Sequence, residues 1–376
     1  MGTSSPDRRL IGTPRRWCVA LAAVVAAGLA LAPSALAKPL GHYVRHNLVS
    51  DVPGKAQLHD SDLVNAWGLA FGPNTPAWVA DNGTDVSTLY AGSVGNQPVS
   101  KLPLTVSIPG GAPTGQVYNN TNGFVVHSGM SSGPALFLFS SEAGKITGWS
   151  QSVPPPPLST QAQTAVSVPG AIFKGLAIAH TASGPQIYAT DFHNRKVDVW
   201  DSSFTRVRHP GAFRDPAIPN RFAPFGIENV NGDIVITYAK QDEDAEDDVA
   251  GPGNGFVDVY DTSGHLLRRF AQRGALNSPW GIALAPHGFG PASGALLIGN
   301  FGNGRIEAYD PVSGKRLGAL WGNGSRVRIP GLWALNFGNG VIGTPQSLLF
   351  TAGPADEAHG LFGKLTFPSA NSQRAG

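Results

Sequence analysis

The chain has 376 residues, of which 41 % are hydrophobic and only 14 % are charged, with 48 glycines and 31 prolines. Low charge and many turn-forming residues favour numerous short β-strands and argue against a protein built from long helices. The formal net charge is +2, and it falls to −1 once the first 37 residues are set aside, which removes the electrostatic basis for nucleic-acid binding.

Those first 37 residues have the pattern of a secretory signal peptide. Two arginine pairs precede an apolar run of 16 residues, 17–32, and Ala35 and Ala37 flank Leu36 at its exit. A basic start, a short apolar core and a small-x-small end predict cleavage after Ala37. A retained membrane anchor is the alternative, although 16 residues fall short of the roughly 18–20 that span a bilayer. The sequence leaves open whether export follows the Sec or the twin-arginine route.

Removal of the leader gives a mature domain over residues 38–376, which we expect to be secreted or periplasmic and free of membrane segments. The single cysteine, Cys18, lies in the leader, so the mature protein has no disulfide bonds although it is exported. Its stability must then come from hydrophobic burial and from closure of the fold.

The mature chain contains a sixfold internal repeat of apolar segments, including "VNAWGLAF", "IFKGLAIA" and "SPWGIALA". When the six segments are aligned, successive anchor residues are 51 to 55 positions apart; these anchors are Gly68, Gly123, Gly175, Gly226, Gly281 and Leu332. Near-equal intervals of this size indicate a repeat architecture.

Each repeat continues as strand, polar Asn- or Gly-rich turn, and strand, as in "LLIGNFGNGRIEAYD", and several add a fourth strand. Four strands in about 50 residues are typical of a propeller blade. We therefore predict an all-β, six-bladed, NHL-like β-propeller that exists as a monomer. The last copy lacks a fourth strand, and residues 42–50 can supply it, which would close the ring and remove exposed sheet edges.

In such a ring, the loops that enter the inner strands and the turns between second and third strands share one face around the channel mouth. Aromatic rings beside amides and carboxylates suit a polar ligand or a sugar. The predicted ligand-binding residues on this face are Trp67, Asp81, Asn82, Asp191, His193, Trp280, Asn300, Trp333 and His359. The alternatives are that the aromatic residues pack between blades and that the turn residues serve only the turns.

Metal binding is a second possibility for the same face. His59, His193 and His359 map there with carboxylates nearby, but their spacing does not show the convergence of three or four ligands that zinc requires. The acidic segment 241–255, predicted to be an insertion in a turn of blade four, could bind calcium but lacks the spacing of a calcium loop. We therefore assign no cofactor and no metal ligand.

The motifs "LVNAWGLAFGPNTPAWVADNG", "IYATDFHNRKVDVWD" and "FTAGPADEAHGLFG" resemble those of an uncharacterised bacterial family of exported NHL-like β-propellers. The resemblance runs from Tyr43 to Leu365 and implies fold and export, but it supplies no substrate and no catalytic residue. More distant NHL-like propellers include metal-dependent lactonases and lyases, and protein-binding scaffolds. The acid and asparagine set of the lactonase type is not evident, since only Glu228 lies within a first strand.

The sequence thus favours a binding module for a small polar, carbohydrate or peptide ligand at the channel mouth. A metal-dependent hydrolase or lyase that uses the same face is one alternative. A protein-interaction scaffold in the cell envelope is the other.

Overall fold

A computed structural model describes residues 39–208 and 210–368, which form five four-stranded sheets, one five-stranded sheet and two small two-stranded hairpins. The predicted signal peptide lies outside the described residues. Each of the six larger sheets is one blade, and the first strand of each blade contacts the first strands of its neighbours around a central channel. The predicted six-bladed propeller is confirmed.

The strands follow the chain from blade to blade. Two strands precede the first complete blade: β1 (Val44–Ser50) and β2 (Leu58–His59). Blade one contains β3 (Ala66–Ala70), β4 (Ala77–Asp81), β5 (Val86–Gly92) and β6 (Val99–Ser107). Blade two, with an inserted hairpin, contains β7 (Pro113–Tyr118), β8 (Val125–Ser128), β9 (Ser131–Pro134), β10 (Phe137–Ser141), β11 (Lys145–Trp149) and β12 (Gln163–Ser167).

Blade three contains β13 (Phe173–Thr181), β14 (Gly184–Asp191), β15 (Lys196–Asp201) and β16 (Arg206–Val207). Blade four contains β17 (Phe222–Val230), β18 (Asp233–Lys240), β19 (Phe256–Tyr260) and β20 (Leu266–Gln272). Blade five contains β21 (Pro279–Leu284), β22 (Leu296–Asn300), β23 (Ile306–Tyr309) and β24 (Arg316–Ala319), followed by a small hairpin of β25 (Trp321–Gly322) and β26 (Ser325–Arg326). Blade six contains β27 (Leu332–Phe337), β28 (Leu348–Ala352) and β29 (Leu361–Thr366).

The helices of the described ranges are single 3₁₀ turns, at Asn82–Thr84 and Gly290–Ala292. None of them is long and apolar enough to cross a membrane.

Ring closure takes place in blade six. Strand β1 pairs antiparallel with β29, from Val44 opposite Thr366 to Ser50 opposite Leu361, and so becomes the fourth strand of that blade, with the short β2 pairing parallel to it at the edge. Leu48 and Val49 of β1 are fully buried in the core. The expected contribution of the N-terminal strand to the last blade is confirmed, and blade six has a paired outer strand.

Close backbone contact between neighbouring inner strands explains the repeated glycine. A Cβ atom at Gly68, Gly115, Gly226 or Gly281 would meet the backbone of the next blade's inner strand. A side chain cannot be accommodated there without separating the blades. Hydroxyl groups add bonds between blades, since Thr190 Oγ1 donates to the Phe225 carbonyl at 2.8 Å and Thr114 Oγ1 to the Phe173 carbonyl at 2.7 Å.

The structure corrects the sequence alignment at two of the six positions. In blade two the inner strand is β7, so Gly115 is the equivalent glycine, and the Gly123 segment leads into the inserted hairpin instead. In blade six the equivalent residue is Ala334, which directly follows Trp333 as Gly68 follows Trp67. The alignment was wrong in blade two because the apolar segment that leads into the inserted hairpin resembles the apolar segments of the inner strands.

Candidate functional site

We call the face that carries the entering loops and the turns between second and third strands the upper face. Indole and phenyl rings fill the channel axis there. Trp67 stacks on Trp333 with ring centroids 3.6 Å apart, and Phe301 stacks on the same Trp333 ring at 4.0 Å. Trp280 meets Trp67 and Trp333 edge-on at 6.4 and 5.9 Å. We call these four residues the aromatic plug.

The aromatic plug contains three of the predicted ligand-binding residues. Trp67, Trp280 and Trp333 are buried, because inner strands that approach the axis this closely bring their aromatic side chains into contact with one another. The geometry of these three tryptophans therefore agrees with the alternative that the aromatic residues pack between blades. Direct ligand contact by these three residues stays a prediction, and it would require a ring to move.

A lysine ammonium lies among these rings. Lys174, the second residue of β13, is 1 % exposed, and its Nζ atom lies 5.3 Å from the centre of the Trp67 ring. The ammonium donates to Glu142 and, at 2.9 Å, to Oδ1 of Asp247. Trp280 Nε1 donates to the Lys174 carbonyl at 3.0 Å. The buried charge is therefore compensated by carboxylates from blades two and four.

A chain of amides extends this cluster to blades one and six. Asn82 Nδ2 donates to Glu142 Oε2 at 3.0 Å, and Asn65 Nδ2 donates to Asn82 Oδ1 at 3.1 Å and to Glu357 Oε2 at 2.6 Å. Trp333 Nε1 donates to Asn65 Oδ1 at 2.9 Å. We call Glu142, Asp247 and Glu357, contributed by blades two, four and six, the carboxylate triad.

The electrostatics of the triad follow from this geometry. Burial alone would lower the pKa of Lys174, but Glu142 and Asp247 outweigh it, so its pKa is raised and the lysine stays charged. Burial raises the pKa of Glu357 to about 7, against the opposing effects of the Asn65 hydrogen bond and of Lys174. Around neutral pH the triad therefore carries more negative charge than one ammonium neutralises.

Three other predicted residues occupy the last position of a second strand. Asp81, Asp191 and Asn300 are fully buried. Asn300 accepts from the Asn277 N–H at 3.0 Å and donates to the Ala275 carbonyl at 3.0 Å, and Asp191 binds the Asn194 amide at 2.8 Å. These contacts hold the entering loops and turns in place.

Asp81 differs from its counterparts in its surroundings. It accepts a 2.7 Å hydrogen bond from Thr88 Oγ1, and burial raises its pKa well above the usual range. Its position within blade one leaves it covered by protein. A ligand contact by Asp81, Asp191 or Asn300 stays a prediction.

The histidines do not converge. His193 Nδ1 lies 3.2 Å from the Ala245 carbonyl oxygen, whereas His359 Nδ1 pairs with Asp51 Oδ2 at 2.7 Å and His59 Nε2 lies 2.9 Å from the Asp51 carbonyl oxygen. Within residues 39–208 and 210–368 no group of three or more His, Asp or Glu side chains is arranged to hold a metal ion. Where Glu142 and Asp247 do converge, Lys174 already supplies the cation, so the donor set does not fit a metal.

Sequence reasoning missed Lys174, Glu142 and Asn65. A signal for the lysine was present, because the residue before the anchor glycine is Trp67, Phe225 and Trp280 in other repeats but Lys174 in "IFKGLAIA". A charged residue in an otherwise aromatic position indicates a buried partner of opposite charge.

No family model matches the chain. The uncharacterized protein R648 of Acanthamoeba polyphaga mimivirus is 32 % identical over 295 residues, which cover 77 % of this chain and 72 % of R648. The uncharacterized protein L690 of the same virus is 34 % identical over 273 residues, which cover 69 % of each chain.

Among solved structures, streptogramin B lyase aligns over 87 % of this chain and 98 % of its own, with 12 % identity and a TM-score of 0.48. A putative gluconolactonase aligns over 87 % and 93 %, with 12 % identity and a TM-score of 0.49. These likenesses are too distant to bear on function.

The relatives found are viral, so the comparisons do not show the expected bacterial membership, nor do they show export. They do show shared descent over more than two thirds of both relatives. The chain belongs to the same family as the mimivirus proteins R648 and L690, and the described member is a six-bladed β-propeller.

Proposed function

We propose that this propeller is an exported bacterial binding protein whose upper face takes a small polar ligand bearing a positive charge. The carboxylate triad is the observation that carries the proposal. Three blades each contribute one acid to a single hydrogen-bonded network, in which Lys174 joins Glu142 to Asp247 and two asparagines join Glu142 to Glu357. Among the described residues, Lys174 is the one ammonium of this network. Asp247 remains available to solvent, since its side chain is 74 % exposed.

Acceptor oxygens of the triad support the same ligand class. Asp247 uses Oδ1 for Lys174, and Glu357 uses Oε2 for Asn65, while Asp247 Oδ2 and Glu357 Oε1 accept no hydrogen bond from the part of the chain that the structure describes. Charge-assisted hydrogen bonds to carboxylates are the strong ones, and an ammonium provides three donors for them. An amino sugar or a lysine side chain of a peptide meets this requirement within the carbohydrate and peptide classes.

Calorimetric titration with glucosamine, and separately with a short lysine-containing peptide, tests the proposal. We expect Asp247→Asn to weaken binding of the cationic ligand about tenfold or more, because a hydrogen bond to a charged group contributes roughly 1.5–3 kcal/mol. Asp244→Asn is the matched control, since Asp244 is an exposed acid of the same insertion that makes no contact with Lys174.

N-acetylglucosamine, and a peptide with norleucine in place of lysine, are the neutral ligand controls. Equal binding of charged and neutral ligands, or equal affinity of the wild-type protein and Asp247→Asn, would contradict the proposal. Absence of binding by both cationic ligands would count against it as well.

Export rests on the leader pattern in residues 1–37. We expect protein recovered from the periplasm or the medium of a bacterial host to begin at Lys38, which intact-mass measurement shows directly. Recovery of the full 376-residue chain from the cytoplasm alone would refute this part of the proposal.

A further inference from the structure

Below the aromatic plug the central channel is open towards the opposite face, which we call the lower face. A small inner void of about 30 Å³ borders Trp280 and is lined by all six blades, through Leu69, Gln116, Leu176, Ile227, Ile282 and Leu335 among others. A wider cavity of about 200 Å³ follows towards the lower face, with walls that combine apolar side chains such as Leu284 and Phe337 with the amides of Asn229, Asn231 and Asn336. The two spaces share Glu228, Ile282 and Leu335.

Glu228 is the one titratable side chain among the described residues that line these two spaces. It lies on inner strand β17 and is exposed to the channel lumen, while apolar side chains from the other blades surround it. Its Oε1 accepts a 3.2 Å hydrogen bond from the adjacent Asn229 N–H, and no cation lines either space. Glu228 faces the lumen, but the protein atoms packed around it displace water, and this desolvation raises its pKa to about 7.

A second acceptor lines the inner void. Gln116 is 6 % exposed; its Nε2 donates to the Trp78 carbonyl, which fixes the amide, while Oε1 is buried and accepts no hydrogen bond from a described residue. Because Oε1 has almost no accessible surface, Gln116 forms part of the wall, and the Glu228 carboxylate is the acceptor that faces the lumen. A carboxylate favours a charged donor.

The volumes of the inner void and of the outer cavity limit the size of the ligand. The inner void of about 30 Å³ exceeds the roughly 10–15 Å³ that one water molecule requires, so it can also hold an ammonium group. A cavity of about 150 Å³ lined by Leu, Ile and Phe is large enough for benzene, so the outer space of about 200 Å³ can take one ring with a short linker.

We propose that the lower channel is a second binding site, in which Glu228 holds the ammonium group of a small amine whose body fills the outer cavity. This site lies on the opposite side of the aromatic plug from the carboxylate triad and does not depend on it.

Isothermal titration of the full mature chain with 2-phenylethylamine tests the site. We expect binding at pH 8, weakened tenfold or more by Glu228→Gln, which keeps the side-chain volume and removes the charge. Asp244→Asn, which removes the charge of an exposed acid that lines neither space of the channel, should leave binding unchanged. Because the amine stays protonated from pH 5.5 to 8, affinity of the wild-type protein should rise about tenfold or more over this range as Glu228 ionises. Affinity of Glu228→Gln should stay nearly constant.

Neutral 2-phenylethanol has the same ring and linker and is the matched ligand control. Equal affinity for the alcohol and the amine would overturn the proposal, as would unchanged binding in Glu228→Gln. Absence of amine binding up to millimolar concentration would also overturn it, and would leave water as the occupant of the inner void. Thermal unfolding of each variant verifies that a loss of binding does not reflect a loss of fold.

Discussion

Replacement of Lys174 with methionine is expected to destabilise the propeller by about 1–3 kcal/mol, less than the full cost of breaking a buried ion pair, because the side chains of Glu142 and Asp247 are 28 % and 74 % exposed. The ammonium compensates Glu142 and Asp247 at the centre of the upper face, and methionine would leave both carboxylates without it while filling a similar volume. Urea unfolding followed by circular dichroism measures the change in the free energy of unfolding.

Two further variants isolate the electrostatic cause. Lys315→Met removes an exposed lysine and should change the free energy of unfolding by less than about 0.5 kcal/mol. Adding Glu142→Gln and Asp247→Asn to Lys174→Met should restore much of the lost stability, because the uncompensated charges are then gone. A loss below 1 kcal/mol for Lys174→Met, or no recovery in the triple variant, would mean that the lysine does not stabilise the cluster.

Replacement of Gly226 with alanine is expected to cost about 3 kcal/mol, at the upper end of the usual cost of overpacking. The new Cβ atom would overlap the Trp280 carbonyl group of the next blade, and neither backbone can shift without opening the contact between blades four and five. Gly226 is not among the residues with positive φ, so alanine meets no torsional strain of its own there. The steric conflict is therefore the whole effect, and the same urea unfolding experiment measures it.

Gly251→Ala is the matched control for this change. Gly251 also lies outside the positive-φ region, and a Cβ atom there would meet only the side chain of Asn254, which can rotate away. We expect a change below about 1 kcal/mol for the control. Similar values for the two variants would show that the inner strands tolerate separation.

The fold was predictable because its determinants are local and repeated. A glycine preceded by an aromatic residue marks where neighbouring inner strands touch, and this requirement recurs from blade to blade, as at Gly68, Gly226 and Gly281. The alignment failed in blade two, where Gly115 follows a threonine and an inserted hairpin supplies a similar apolar segment near Gly123. A local pattern cannot distinguish an inner strand from an insertion with the same composition.

The candidate sites were less predictable because they depend on contacts between blades. Lys174 and Asp247 are 73 residues apart, and no motif links them. The sequence also identifies Glu228 as an acid on an inner strand, but it does not show that Glu228 and Gln116 line the same space in the channel. The tryptophans were assigned to the correct face, yet their mutual burial follows from how closely the inner strands approach the axis, which spacing along the chain does not encode.

Closure of blade six by β1 has a consequence for the order of events during synthesis. Ser50 Oγ donates to the Gly360 carbonyl across 310 residues. Strand β1, which is synthesised before the other described strands, therefore cannot form this pairing until β29 has been synthesised. Contacts of such high sequence separation make folding slow. Until the final strand arrives, the growing chain can form only an open arc with two unpaired edges, which are prone to pairing with other chains. Blade six therefore cannot close before β29 has been synthesised, which lengthens the time during which the two open edges need protection from other chains.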